Sequence, residues 1–218
     1  MKQKVLVLGA SGFIGRNIAE ELAKNPDYEV TGTYFRSIPF THPKIAMTKC
    51  DLTDAKKVKS ILKGADIVVQ AAATTSGAKE IVNKPYYHVT DNALMNTLIF
   101  REAFEQKIKK LIFFSCTVMY PSDLKRALKE TDFDANQEIP KNYFGVGWTK
   151  VYLEKMAEFN EENDNNKLKN ENKKTKENKN NNTKENSEKA KKQKSLSEEE
   201  VNEYTYILIK NLEVLSLA

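Results

Sequence analysis

The segment Gly9-Ala10-Ser11-Gly12-Phe13-Ile14-Gly15 constrains the fold of this chain more than any other part of it, because of what flanks it. Val5 to Leu8 is a short aliphatic run, too brief for a helix and closed by Gly9, so it reads as a buried strand. Phe13, Ile14, Ile18, Ala19 and Leu22 then recur at helical spacing, with Asn25-Pro26 as a stop. Glycines between a strand and a helix have a mechanism. The first permits a tight turn, the second lets backbone amides approach a pyrophosphate, and the third lets the helix pack on the strand. The helix N-terminus adds unpaired N–H groups and the positive end of its dipole. A dinucleotide-binding turn built from Gly9, Ser11, Gly12, Phe13, Ile14 and Gly15 is the expectation; a merely structural turn is the alternative.

The pattern continues. Tyr28 to Tyr34 and, more weakly, Lys44 to Lys49 are strand-like, and Asp54 to Leu62 is a short helix with Val58, Ile61 and Leu62 on one face. Asp66 to Gln70 is another buried strand. Pro85 to Gln106 contains a long helix with Leu94, Leu98, Ile99 and Phe104 as core candidates; Leu111 to Phe114 is strand and Trp148 to Phe159 helix. Strands alternating with helices imply an α/β fold, a doubly wound, Rossmann-like parallel sheet with helices on both faces.

Composition matters mainly for the second half. Residues 161–194 carry 11 Lys against 7 acidic residues, and 10 Asn, so they hold +4 of the net charge of +5. The remainder is nearly neutral, so a basic nucleic-acid-binding fold is not indicated. The lysine-rich stretch has mixed charge and no aromatic residue for stacking bases, so no nucleic-acid partner is expected there. It cannot bury enough apolar surface to offset its ordering entropy. The expected organisation is a domain over 1–160, a disordered Asn/Lys/Glu-rich segment over 161–196 and a tail over 197–218. In that tail Ser197 and Glu200 resemble a capping box. Tyr204 to Ile209 reads as a sixth strand, the rival being one amphipathic helix from Glu198 to Leu215. No apolar run reaches a membrane-spanning length, so no membrane partner is expected. Cys50, Cys116, His42 and His88 show no metal-ligand spacing and no disulfide framework, so no metal is expected and a reducing, cytoplasmic setting is the default.

Several segments, in order, resemble the extended short-chain dehydrogenase/reductase family, the epimerases, dehydratases and reductases of nucleotide sugars. They are the GxxGxxG spacing, Cys50-Asp51-Leu52, Asp66 to Ala73, Asp91-Asn92-Ala-Leu-Met-Asn-Thr, and Phe113 to Pro121, over residues 1 to about 159. The Met-Tyr-Pro ending leans towards the GDP-fucose synthase side. The resemblance implies a bound NADP or NAD, with Asp51 and Leu52 at the adenine edge and Ala71, Ala72 and Ala73 beside the cofactor. A carboxylate at the end of the second strand would favour NAD. Thr33-Tyr34-Phe35-Arg36-Ser37 offers an arginine instead, whose planar fork could pair with a 2′-phosphate. NADP is therefore favoured modestly, and a plain surface arginine is the competing reading.

The family also places a Tyr four residues before a Lys on one helix face. A neighbouring ammonium lowers the phenol's pKa, so the tyrosine can exchange a proton with a sugar hydroxyl. Lys150 matches the lysine, and it would also contact the cofactor. Val146 stands at the tyrosine's place, so Tyr143 becomes the candidate, brought inward if Gly145 and Gly147 keep the approach to the helix non-helical. Where the family keeps Ser or Thr the sequence has Cys116, flanked by Ser115 and Thr117, and Cys116 and Thr117 are the hydroxyl-position candidates. A buried structural cysteine is the simpler reading of Cys116. The implied function is hydride transfer at a sugar carbon of a nucleotide sugar; the alternative is a shortened, catalytically impaired dinucleotide-binding module. The family's substrate lobe is expected to be absent. A homodimer through helices 91–106 and 148–159 is the partner the resemblance implies.

Overall fold

Consecutive side chains of a strand point to opposite faces, and Val5, Leu6, Val7 and Leu8 are all buried. A strand with that pattern must be covered on both sides. The computed structural model describes residues 1–74, 85–120, 126, 129–136, 138–139, 141–160 and 205–209. In chain order these form β1 (Gln3–Leu8), α1 (Phe13–Leu22), β2 (Tyr28–Tyr34), β3 (Ile45–Lys49), α2 (Ala55–Leu62), β4 (Ile67–Gln70), α3 (Pro85–Glu105), β5 (Lys110–Phe114), α4 over 144–160, and β6 (Thr205–Ile209).

The sheet order is β3-β2-β1-β4-β5-β6, and every pairing is parallel. Val5 pairs with Val30 on one side and Ile67 on the other, so β1 is the central strand. This is the doubly wound order, in which the winding direction reverses between β1 and β4. Val5, Val7, Val30 and Val69 pack beneath α1 with Ala19 and Ala23. Leu6, Leu8 and Val68 pack on the opposite face against Val58 and Leu62 of α2, Ile99 and Phe100 of α3, and Leu153 and Ala157 of α4. Each fully buried Leu, Ile or Phe contributes about 1.5–3 kcal/mol. β6 lies along β5, with Leu111 opposite Tyr206, and so covers an edge that would otherwise be open to strand addition. Residues 205–209 are extended rather than helical. The segment read as disordered, 161–196, and the capping box at 197–200 lie outside the described residues.

Local signals explain the helix boundaries. Asp54 caps α2 by accepting from the Lys56 and Lys57 amides. Two details differ from the sequence reading. Leu94 is exposed, and the buried face of α3 is carried by Met95, Ile99, Phe100 and Ala103. The 3.6-residue period admits either of two neighbouring stripes on a helix this apolar, and packing on the sheet selects one. The helix expected from Trp148 begins instead at residue 144 and includes both glycines. A Cβ on Gly145 would lie 2.6 Å from Val89 Cγ2, and one on Gly147 2.8 Å from Ile139 Cδ1. These glycines serve close helix packing, which compensates for their low helix propensity.

Candidate functional site

Parallel strands deliver their following loops to one edge of the sheet, and an open α/β sheet binds ligands there, where the winding reverses. At that edge Gly9 leaves β1 with φ +74°, and its missing side chain is a steric requirement, since a Cβ would lie 2.5 Å from Ala72 Cα. The Gly9 amide donates to Thr33 Oγ1 at the end of β2 (3.0 Å), and the Gly12 amide donates to Gly9 O (3.0 Å). Gly15 sits directly over the turn, where a Cβ would collide with Gly9 O. Gly12 is the N-cap of α1 and supplies no side-chain cap to its first turn. The amides of Phe13, Ile14 and Gly15 thus open the helix with no side chain competing for them, as an anion-binding turn requires. Ser11 is half-buried beside them and Phe13 is exposed. A bound diphosphate fits this cradle.

The neighbouring loops complete the edge. Arg36, exposed after β2, holds its guanidinium 5.3 Å from the centre of the Phe35 ring. Asp51, after β3, accepts from the Thr53 amide (3.0 Å) and hydroxyl (2.7 Å). The Thr53 hydroxyl, the backbone bond and the nearby Lys57 and Arg36 charges hold its carboxyl below the usual range against some burial. Leu52 and Cys50 are buried. Ala71, Ala72 and Ala73 follow β4, and Ala73 is the exposed one.

The region proposed for chemistry is less complete. Lys150, on α4, donates from Nζ to Phe114 O (2.8 Å) and lies 4.4 Å from the centre of the Phe113 ring. Burial lowers its pKa, opposed by the Cys116 and Glu154 charges. The side chain is only partly covered as a whole, yet the amine itself is largely desolvated. Burial likewise pushes the Cys116 thiol up, with Lys150 acting the other way. Ser115 Oγ points to Met119 Sδ (3.9 Å) and Thr117 is exposed. Tyr143 stands in the 3-10 turn Lys141–Tyr143 just before α4 and is 41% exposed. With α4 helical from residue 144, the glycines do not provide the non-helical approach that would turn it inward. Val146 is half-buried on the helix.

Sequence reading missed the polar frame behind these loops. Gln70, Asn92 and Asn96 bond to one another and to the 72–74 backbone, and His88 Nδ1 lies 3.0 Å from Thr74 O. The available signals were a glutamine ending an otherwise aliphatic strand and asparagines at i, i+4 on α3. A hollow of about 140 Å³ is bordered by Lys4, Thr31, Ile61 and Gly64. It lies at the opposite, amino end of the sheet, away from every group described above.

Sheet order, reversal point and glycine turn together define a doubly wound domain of the dinucleotide-binding class. Residues 5–166 match the NAD-dependent epimerase/dehydratase family. The chain belongs to that family. It is 27% identical over 158 residues to the GDP-L-colitose synthase of Yersinia pseudotuberculosis, covering 72% of this chain and 47% of that protein. It is 27% identical over 168 residues to the GDP-L-fucose synthase of Azorhizobium caulinodans, covering 72% and 49%. The UDP-glucose 4-epimerase structure from Thermotoga maritima superimposes with a TM-score of 0.61 at 22% identity, over 72% of this chain and 51% of that one. The chain spans about half the length of the curated relatives it matches.

Proposed function

We propose that the chain binds NADP or NAD along the carboxyl edge of its sheet and takes part in hydride exchange at a sugar carbon of a nucleotide sugar. The observation that carries the proposal is the uncapped first turn of α1 beneath Gly9, in a chain of this family. The Phe13, Ile14 and Gly15 amides, with Ser11, hold the diphosphate; Asp51 and Leu52 meet the adenine edge, and Arg36 a 2′-phosphate. Ala71 to Ala73 flank the dinucleotide, and Lys150 bounds its far end. When bound, the nicotinamide supplies the hydride acceptor or donor. Lys150 and Tyr143 form the proton-handling pair, with Cys116 or Thr117 orienting the sugar.

The second reading, a dinucleotide-binding module impaired in catalysis, is favoured by Val146 at the tyrosine's place and by the exposure of Tyr143. Turnover of a GDP- or UDP-linked sugar that drops at least tenfold in Tyr143→Phe supports the first reading; turnover unchanged by it removes Tyr143 from the pair.

The primary test is thermal unfolding with NADPH or NADH. At 100 times its dissociation constant a ligand adds about 2.7 kcal/mol, or roughly 5–10 °C for a chain of this size. NADPH should raise the midpoint more than NADH, and Arg36→Ser should erase the difference. A cooperative melt that neither nucleotide moves would overturn the binding proposal.

A homodimer through α3 and α4 belongs to the same proposal. Leu94, Tyr152 and Phe159 expose apolar surface on these two helices, as an uncovered interface does. Sedimentation equilibrium at tens of micromolar should return twice the chain mass; a single-chain mass throughout would exclude it.

A further inference from the structure

Gln70 ends β4 with a side chain that is almost wholly buried. Its amide group closes on the backbone two residues ahead. Oε1 accepts from the Ala72 amide (3.2 Å) and Nε2 donates to Ala72 O (3.1 Å), so one side chain satisfies both backbone groups of one residue. Nε2 also donates to Asn96 Oδ1 (2.9 Å), and Asn96, itself buried, donates from Nδ2 to Asn92 O (2.7 Å) on α3. The backbone two residues further on is held in the same manner. Asn92 Oδ1 accepts from the Thr74 amide (2.9 Å), and its Nδ2 donates to Thr74 O (3.0 Å). Two carboxamides thus bond this loop's backbone in the way a partner strand would.

What this loop presses on is Gly9. The space a Gly9 side chain would need is occupied by Ala72 Cα, N and Cβ at 2.5, 2.7 and 2.8 Å. A shift of a few tenths of an ångström at Ala72 would therefore move the turn or leave a gap under it. A buried polar pair between a strand and a helix is costly unless every partner is in place. A leucine at either position would serve packing as well, so packing alone does not account for it.

We propose that Gln70 is a positioning residue for the phosphate turn: through its clamp on Ala72, braced by Asn96, it sets the position of Gly9 and hence of the amides that receive a dinucleotide diphosphate. The link to affinity rests on the proposed dinucleotide binding; the link from Gln70 to Gly9 does not. The geometry separates this role from bulk stability. Replacing Gln70 and Asn96 together leaves neither side chain unpaired, and the amide and carbonyl it releases belong to Ala72, which is only half-buried.

The test is the double variant Gln70→Met/Asn96→Leu in the full chain, with NADPH as the probe. The expected result is a cooperative melt within a few degrees of the parent chain, with an NADPH dissociation constant raised at least tenfold. A constant within twofold of the parent, with the midpoint preserved, would overturn the proposal. Should the double variant not fold, Asn96→Ala removes only the brace. Backbone amide NMR of the ligand-free protein then decides, because the Ala72 and Gly9 signals should both move. A change that reaches Ala72 but leaves Gly9 in place would overturn the proposal. If the parent chain binds no dinucleotide, the functional reading fails by itself, and the same Gly9 signal still decides whether Gln70 positions the turn.

Discussion

Gly9→Ala is expected to destabilise the chain by about 3 kcal/mol or more and to eliminate any rise in melting midpoint that NADPH gives in the parent chain. Two costs combine. At φ +74° any side chain strains the backbone, by roughly 1–2 kcal/mol. The new methyl would also lie 2.5 Å from Ala72 Cα and 2.7 Å from Ala72 N. That backbone cannot yield cheaply, since Gln70 holds residue 72 on both its polar groups and Asn92 holds residue 74. Gly64 is an internal control. It has nearly the same backbone geometry, φ +79°, with nothing within 4 Å of the place a methyl would take, so Gly64→Ala should cost only the backbone strain. Thermal scans of both variants check the argument. At roughly 2–4 °C per kcal/mol, the Gly9 variant should melt about 6 °C or more below the parent chain, and the Gly64 variant only a few degrees below. Equal midpoints for the two would show that contact with Ala72 contributes nothing.

Phe113→Ala should be the most damaging core substitution near the site, at about 3–5 kcal/mol. The ring is 2% exposed. It meets Phe100 of α3 edge-on, with centroids 5.2 Å apart and planes at 90°, and it carries the Lys150 ammonium 4.4 Å from its centre. Truncation removes the aromatic pair, opens a cavity between β5 and α3, and takes away the one aromatic face under Lys150 among the described residues. Phe113→Leu keeps much of the volume and should cost distinctly less. Urea unfolding is the measurement: the midpoint should fall with the slope unchanged, which marks a loss of stability rather than a change in the surface exposed. A loss below about 1 kcal/mol for the alanine variant would mean that the β5–α3 contact relaxes to fill the space.

The ancestry of the site was readable because its signal is local. Gly9 to Gly15 lies within one strand–turn–helix, where sterics and helix-end amides alone dictate which residues are tolerated. The family match over residues 5–166 agrees with that reading. The catalytic residues were less legible. Gly145 and Gly147 have two meanings in a sequence: a broken helix, or a helix that must pass close to a neighbour. Only Val89 and Ile139 on the other side of the contact distinguish the two, and with them Tyr143 is left at the surface.

Sequence alone determined the strand–helix alternation, the position of the glycine turn and the buried two-sided strands, because each follows from spacing over a few residues. The tertiary structure decided which stripe of α3 is buried and where the Lys150 amine rests. It also decided that Gln70 and Asn96 are partners. Those outcomes depend on contacts between residues 36 apart for Lys150 and Phe114, 26 apart for Gln70 and Asn96, and 24 apart for Gly9 and Thr33. A buried polar atom must find a partner wherever the fold brings one, and which atom that is becomes defined only once the sheet has been assembled.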